Sequence, residues 1–137
     1  MGAITADIPP GEPPVLLSRH FQVRGGCYLD VDPESHTRSP HSVKVPSGAF
    51  QEIVDAWAGE LAYGPGLIRA PLAIICGGRD SMCTDADTCW LFEALKTSPI
   101  RRDIKISRAT HLMHLQGSHY AFYLDIEAFV AAGDGVA

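Results

Sequence analysis

The sequence lacks several features that would mark particular classes of protein. None of its apolar runs approaches the roughly 20 residues that a helix needs to cross a bilayer. Its 11 Lys and Arg residues are outnumbered by 16 Asp and Glu residues, whereas a nucleic-acid surface needs clustered positive charge. Residues 1–14 have neither the basic nor the apolar region of a secretory signal peptide. We therefore expect a cytoplasmic protein that binds neither nucleic acid nor membranes.

Cysteine is scarce, and its spacing matches no common cysteine motif. The cysteines are Cys27, Cys76, Cys83 and Cys89, and no two of them form a C-x-x-C pair, which argues against a zinc ribbon or a thioredoxin-type site. The hydrophobic content of 46% is ordinary for a chain that buries a core. We expect free thiols, as in a reducing cytoplasm, in preference to a structural disulfide. Cys76 lies in an apolar run and is predicted to be buried.

The prolines divide the chain into two regions. Seven of the ten lie in residues 1–46, and proline interrupts both helices and sheet ladders. This first region is predicted to be irregular, apart from a possible hairpin at residues 21–30. There Gly25-Gly26 would permit a tight turn between two short β-prone runs. Residues 47–137 form the second predicted domain.

The second region alternates between helical and extended patterns. The continuous apolar run 72–76 is typical of a strand covered on both faces, and residues 103–107 alternate as a strand does. Helical spacing of apolar residues predicts helices over residues 48–62, 85–96 and 119–132. The order helix, strand, helix, strand, helix predicts an α/β fold with a parallel sheet flanked by helices.

Local signals also predict where these helices begin and end. Ser47 is expected to be the N-cap of the first helix, and the stretch 63–66, Tyr-Gly-Pro-Gly, is expected to end it. Thr84 followed by Asp87 is typical of a capping box at the start of the second helix. Trp57 and Trp90 lie on apolar stripes and are predicted to be core residues.

Two chemically active residues follow the two predicted strands. Asp80 lies four residues after Cys76, and His111 lies four residues after Ser107. Functional residues of open α/β sheets lie at the carboxyl ends of the strands, so we expect the carboxylate to hydrogen-bond to the imidazole. Such a carboxylate fixes the tautomer of the histidine and stabilises its protonated form. Asp85 is a second candidate for the acid, and a purely structural turn or helix cap is the alternative role of Asp80.

A histidine cluster is a further candidate, for a metal ion. It comprises His111, His114 and His119, but no carboxylate or cysteine near them completes a recognised ligand spacing. We therefore predict neither a metal nor a cofactor.

The order of these motifs resembles the C-terminal portion of the α/β-hydrolase fold. Residues 67–71, Leu-Ile-Arg-Ala-Pro, then a strand and 77–80, Gly-Gly-Arg-Asp, look like the region around the seventh strand of that family. Residues 109–115, Ala-Thr-His-Leu-Met-His-Leu, look like the loop after the eighth strand, and the last helix corresponds to the final helix. The resemblance covers residues 65–132, roughly half the chain. It implies an ester or acyl hydrolase acting on a small molecule, in which His111 is the general base and Asp80 orients it.

The nucleophile of that family has no recognisable counterpart. α/β-hydrolases carry Ser, Asp or Cys in an elbow of the G-x-S-x-G type before the acid, and residues 1–64 contain none. Ser47 has no suitable strand before it. Cys76 follows a strand, but Ile74 occupies the position where an elbow needs a small residue. We therefore expect a truncated or fragmentary hydrolase-like protein with little or no activity. A non-catalytic binding or assembly module derived from the fold is the alternative.

So small a sheet leaves apolar surface that a partner could cover. The strand at 72–76 has one predicted neighbour, residues 103–107, and an open edge favours pairing with another copy. The exposed surface would include Phe50, Trp57, Trp90, Phe122 and Phe129. We expect a homodimer, the commonest symmetric assembly. The competing outcome is that residues 1–46 fold back and complete the core.

Overall fold

The computed structural model of the chain describes residues 7–13, 15 and 18–133. These residues divide into two compact units. Residues 18–64 form one unit, and residues 65–133 form the other together with the described residues before position 18. No helix in the described part is long and apolar enough to cross a membrane.

This grouping differs from the sequence domains 1–46 and 47–137, which stay a prediction. The reason for the difference is that a compact unit is defined by which residues touch, whereas the sequence division followed a change in proline content.

The unit formed by residues 18–64 contains two helices, α1 (Ser18–Asp30) and α2 (Ser47–Trp57). Helix α1 occupies the stretch predicted as a hairpin at 21–30, so that prediction is wrong. A hairpin of two short strands without a third is marginal in water. In this proline-free stretch a helix satisfies the backbone hydrogen bonds locally. The Arg24 guanidinium also lies over the Tyr28 ring, 5.7 Å from its centroid and one turn away.

Helix α2 confirms the predicted helix but has different ends. Its N-cap is Pro46, so Ser47 is the first helical residue and not the cap that was predicted. The helix ends at Trp57, before the predicted stop at 63–66. The cause is Gly59, which adopts a left-handed φ of 89° and donates its N–H to the Ala56 carbonyl at 3.0 Å. Glycine in this conformation is a common helix terminator.

The segment between α1 and α2 is organised around Asp32. Its carboxylate accepts hydrogen bonds from the Arg38 guanidinium at 2.7 Å and from the Lys44 backbone N–H at 2.8 Å. Arg38 and Lys44 also bind the Glu34 carboxylate, at 3.1 and 2.9 Å. The hydrogen bond from Arg38, followed by that from Lys44, holds the pKa of Asp32 well below its usual range.

The second unit contains a two-stranded sheet. Strand β1 (Leu72–Gly77) and strand β2 (Arg101–Ile106) are parallel, with Leu72 opposite Arg101 and Gly77 opposite Ile106. The predicted parallel pairing is confirmed, and the described residues have a small α/β fold. Two parallel strands must be joined by a crossover connection. The connection between β1 and β2 contains a helix.

Two helices accompany the sheet, α3 (Asp85–Ala94) and α4 (His119–Gly133). Helix α3 begins with the predicted capping box. The Thr84 backbone N–H donates to the Asp87 carboxylate at 2.8 Å, and the Asp87 N–H donates to the Thr84 hydroxyl at 3.4 Å. Such reciprocal bonds satisfy donors that a helix start otherwise leaves open.

The core of this unit is narrow. Its buried apolar residues are Cys76, Leu95, Ala109 and Met113. Residues 72–75 of β1 are only half-buried, so the prediction that this run is covered on both faces is wrong. The core prediction is also wrong for both tryptophans, since Trp57 is 70% and Trp90 is 52% exposed. Within this unit, a sheet of two strands is too narrow to cover all the apolar positions that helical spacing marks on α3 and α4.

Candidate functional site

The side chains of Asp80 and His111 meet at the carboxyl ends of β1 and β2. Asp80 Oδ2 lies 3.0 Å from His111 Nδ1. The Asp80 side chain is 5% exposed, whereas that of His111 is 41% exposed. The predicted contact is therefore confirmed, while the catalytic role of the two residues stays a prediction. The buried carboxylate holds one edge of a ring whose remainder is accessible to solvent.

Two glycines let the histidine loop pass directly over the end of β1. A Cβ atom on Gly77 would lie 2.7 Å from the carbonyl carbon of Ala109, and one on Gly78 would lie 2.6 Å from the carbonyl oxygen of Ser107. Both neighbours are backbone atoms, so a larger residue would displace the loop. The Arg79 N–H donates to the Ala109 carbonyl at 2.9 Å. The acid loop and the histidine loop are thus joined by their backbones.

The two oxygens of the Asp80 carboxylate bind different partners. Oδ1 accepts the backbone N–H groups of Met82 at 2.9 Å and Cys83 at 3.0 Å. Aspartate commonly forms such local turns. Oδ2 is left to face His111. The structural role and the predicted pairing with histidine therefore coexist in one side chain.

A buried glutamine supports the histidine loop from behind. The Thr110 N–H donates to Gln116 Oε1 at 3.1 Å, and Gln116 Nε2 donates in return to the Thr110 hydroxyl. Both residues are buried. This pair fixes the backbone immediately before His111. Nothing in the local sequence pattern indicated Gln116.

Cys83 is a site residue that the sequence reasoning missed. One potential ligand atom from each of Asp80, Cys83 and His111 lies within 4.8 Å of the other two. The signal for it was the spacing D-x-x-C, because a turn closed on Asp80 carries the chain back toward that carboxylate. Burial, and then the negative charge of Asp80, raises the pKa of the Cys83 thiol. A nucleophilic cysteine needs the opposite shift.

The other candidates for acid and nucleophile have different partners. Asp85, the second candidate for the acid, forms an ion pair with Lys105. The Cys76 thiol is buried and lies 3.1 Å from the Thr88 hydroxyl. This environment is that of a structural cysteine, as predicted.

The candidate histidine cluster does not assemble around His111. Within the described ranges, the group of possible metal ligands that contains His111 includes neither His114 nor His119. His119 Nδ1 lies 2.5 Å from the Gln116 carbonyl oxygen, and its ring lies 3.9 Å from that of Tyr120. The loop turns into a short 3₁₀ helix, Met113–Leu115, directly after His111. The three histidines are therefore not presented together.

A second charged cluster lies on the same two loops. The Arg79 guanidinium makes two hydrogen bonds of 2.8 Å to the Glu12 carboxylate, and Arg108 makes one of 2.9 Å. The hydrogen bond from Arg79 holds the pKa of Glu12 below its usual value. Glu12 thereby ties an early segment of the chain to the loops that carry Asp80 and His111.

The arrangement can accept a proton. A neutral His111 that donates its Nδ1–H to Asp80 has its lone pair on Nε2, which is the tautomer that a general base requires.

Searches against protein-family models, curated proteins and solved structures found no match.

Proposed function

We propose that this chain carries the acid–histidine half of an α/β-hydrolase-like site for ester or acyl hydrolysis of a small molecule. In this proposal His111 is the general base and Asp80 is the carboxylate that orients it. The attacking hydroxyl or thiol is supplied by residues outside this sequence, so the chain alone is a truncated form with little activity. We further propose that it acts in the cytoplasm.

The observation that carries the proposal is the 3.0 Å contact between His111 Nδ1 and Asp80 Oδ2. Its position supports hydrolase chemistry, because the two residues follow neighbouring parallel strands in the chain order acid then histidine. Its burial also supports that chemistry. A carboxylate shielded from water interacts more strongly with the imidazolium that forms during proton transfer.

The contacts of His111 are consistent with a nucleophile that lies outside this sequence. Among the described side chains, Asp80 is the hydrogen-bond partner of the His111 ring, and no serine or threonine hydroxyl bonds to it. The nearby thiol of Cys83 has a raised pKa. A histidine without a positioned nucleophile loses most of the catalytic gain of the complete site.

The test is cleavage of p-nitrophenyl acetate by the full chain. We expect trace turnover that depends on the pair, so His111→Ala should lower the rate above background by at least about tenfold, since a positioned base typically contributes more than that. Asp80→Asn should also lower it, because the amide favours the wrong tautomer. His41→Ala changes an exposed histidine of the other compact unit and should have no effect.

Two results would contradict the proposal. Equal rates for His111→Ala and His41→Ala would remove the general-base role. Robust turnover abolished by His111→Ala, together with labelling by a fluorophosphonate probe, would mean that the chain contains its own nucleophile.

A second candidate function is a non-catalytic assembly module. It is favoured by large apolar side chains that remain exposed on α3 and α4, among them Trp90, Tyr120 and Leu124. Exposed large apolar side chains become part of a protein–protein contact when they form one patch. Two results together would favour the assembly module. The Asp80→Asn and His111→Ala variants would assemble as the wild type does, and the ester-cleavage rate would not exceed background in any of them.

A further inference from the structure

The geometry points to a binding site for one transition-metal ion of the zinc class, formed by Asp80, Cys83 and His111 with a fourth coordination position open to solvent. The inference goes beyond the proposed hydrolase function and does not depend on it. It concerns what these three side chains can hold, whether or not the acid–histidine pair takes part in hydrolysis.

The donor set is the first argument. The three side chains offer a carboxylate oxygen, a sulfur and an imidazole nitrogen, and each of these is a ligand type that Zn²⁺ binds in proteins. Calcium and magnesium prefer oxygen ligands alone. Three protein ligands with one open position are typical of zinc sites that exchange water or bind a further molecule.

The distances are the second argument. Zinc bonds of about 2.0–2.3 Å in a tetrahedron place neighbouring ligand atoms about 3.3–3.6 Å apart. Asp80 Oδ2 and His111 Nδ1 are 3.0 Å apart, and all three ligand atoms lie within 4.8 Å of one another. The largest of these separations exceeds the tetrahedral value by at most about 1 Å, and a change of the Cys83 χ1 rotamer moves its sulfur by more than that.

The support for the ligands is the third argument. Asp80 is oriented by the N–H groups of Met82 and Cys83 on its other oxygen, and hydrogen bonds of this kind position metal-binding carboxylates. The same turn brings the thiol toward the carboxylate. Cys83 and His111 are exposed, so an ion can enter from solvent. Binding releases the thiol proton to water, and the thiolate sulfur becomes the ligand.

A bound ion has a consequence for the proposed chemistry. Neutral imidazole has a single nitrogen lone pair, and a metal ligand uses it. The metal-bound form of His111 is therefore not a general base, whichever ring nitrogen binds. Zinc and proton transfer would compete for one side chain.

The test is a titration of the full chain with Zn²⁺ in competition with a chromophoric chelator, in a non-thiol reductant. We expect one ion per chain. Cys83→Ser and His111→Ala should each weaken binding by at least about tenfold. The matched control is Cys89→Ser, because Cys89 is another exposed free thiol, on α3, outside this ligand group. That variant should bind as the wild type does.

A second readout identifies the ligand directly. Cd²⁺ should produce a thiolate-to-metal charge-transfer absorption that disappears in Cys83→Ser and persists in Cys89→Ser. Cys83 is exposed, so its replacement should not unfold the chain, which circular dichroism will verify.

The outcomes separate this inference from the hydrolase proposal. Equal zinc affinity in Cys83→Ser and Cys89→Ser, or binding without a defined stoichiometry, would overturn the metal site. Neither result affects the ester-cleavage test, which is performed with a chelator present. Conversely, a zinc site confirmed in a chain whose ester cleavage is the same in His111→Ala and His41→Ala would leave the metal site standing and the hydrolase proposal refuted.

Discussion

Gln116 and Thr110 are joined by two hydrogen bonds in the interior of the second unit. The Thr110 N–H donates to Gln116 Oε1 at 3.1 Å, and the amide of Gln116 donates to the hydroxyl of Thr110. Gln116 Oε1 therefore takes the place of the backbone carbonyl that would accept the Thr110 N–H in a strand or helix. Because Thr110 immediately precedes His111, this pair determines where the histidine backbone lies.

Replacing Gln116 should destabilise the protein. Gln116→Leu keeps a similar volume but leaves the buried Thr110 N–H without its acceptor, and an unpaired buried donor typically costs about 1–3 kcal/mol. The measurement is the free energy of unfolding from urea denaturation. The control is Gln51→Leu, which removes an exposed bond to Asp55 on α2 and should change stability by less than about 0.5 kcal/mol. A Gln116 variant as stable as this control would show that the loop does not need the buried amide.

Gly77→Ala should disturb both loops of the site. The added methyl would meet the backbone of Ala109 and Thr110, and overpacking of this kind typically costs about 1–3 kcal/mol. Gly117→Ala is the matched control, because no atom lies within 4 Å of a Cβ placed there. The comparison uses unfolding free energies, and the chemical shifts of the His111 ring report whether the Asp80 contact survives. Equal effects of the two substitutions would contradict the close approach of the loops.

Acid should weaken the attachment of Glu12. The folded-state pKa of Glu12 is lowered, first by the hydrogen bond from Arg79, from a reference value of 4.5. Its stabilising contribution is therefore complete above about pH 4.5 and is lost as the pH falls through the lower folded-state value. Glu12→Gln should abolish this part of the pH dependence.

Thermal unfolding followed from about pH 6 downward through the reference pKa of 4.5 tests the role of Glu12. The wild type should lose more stability than Glu12→Gln over that range. Glu127→Gln, a change at an exposed position of α4, should keep the wild-type slope. Parallel curves for the wild type and Glu12→Gln would mean that the two arginines contribute nothing to folding through Glu12.

The chain should form a homodimer. In the described residues β1 and β2 pair only with each other, which leaves the outer edge of each strand without a strand partner, and such edges favour association. Sedimentation equilibrium at micromolar concentration should give twice the chain mass of 14.8 kDa. A clean monomer would contradict this and favour completion of the core by residues 1–46.

Trp90→Lys should weaken the dimer if the exposed face of α3 contributes to it. Glu93→Gln alters the net charge by the same amount on the same helix and at an exposed position, so it controls for charge. Loss of dimer in both variants would indicate an electrostatic effect and not an apolar interface.

The two strands and the acid–histidine contact could be predicted because they follow from short-range patterns. A continuous apolar run at 72–76 and an alternating run nearby indicate neighbouring parallel strands, and parallel strands bring their carboxyl ends to one edge of the sheet. Asp80 and His111 were placed by that geometry alone. The contact of Cys83 with Asp80 and the support that Gln116 gives to Thr110 depend on how two loops fold, which no periodic pattern encodes.

The errors at α1 and at the tryptophans have a common physical origin. β-prone residues around Gly25-Gly26 predict strands only if another strand is available to pair with them, and none is paired with that stretch in the described structure. Helical spacing likewise identifies Trp90 as part of an apolar stripe but does not supply the surface that would cover it. Both features depend on long-range packing, which overrides local preference.

The backbone contact between Arg79 and Ala109 has a consequence for how this region fluctuates. The Arg79 N–H is held by the Ala109 carbonyl, and the Gly78 and Ala109 N–H groups are both held by the Ile106 carbonyl. These amides cannot exchange with solvent singly without breaking the junction that the glycines make possible. They should therefore exchange as one cooperative opening unit, with similar protection factors. We expect each such opening to separate Asp80 from His111, so the exchange rate of the Arg79 amide should report how often the pair separates.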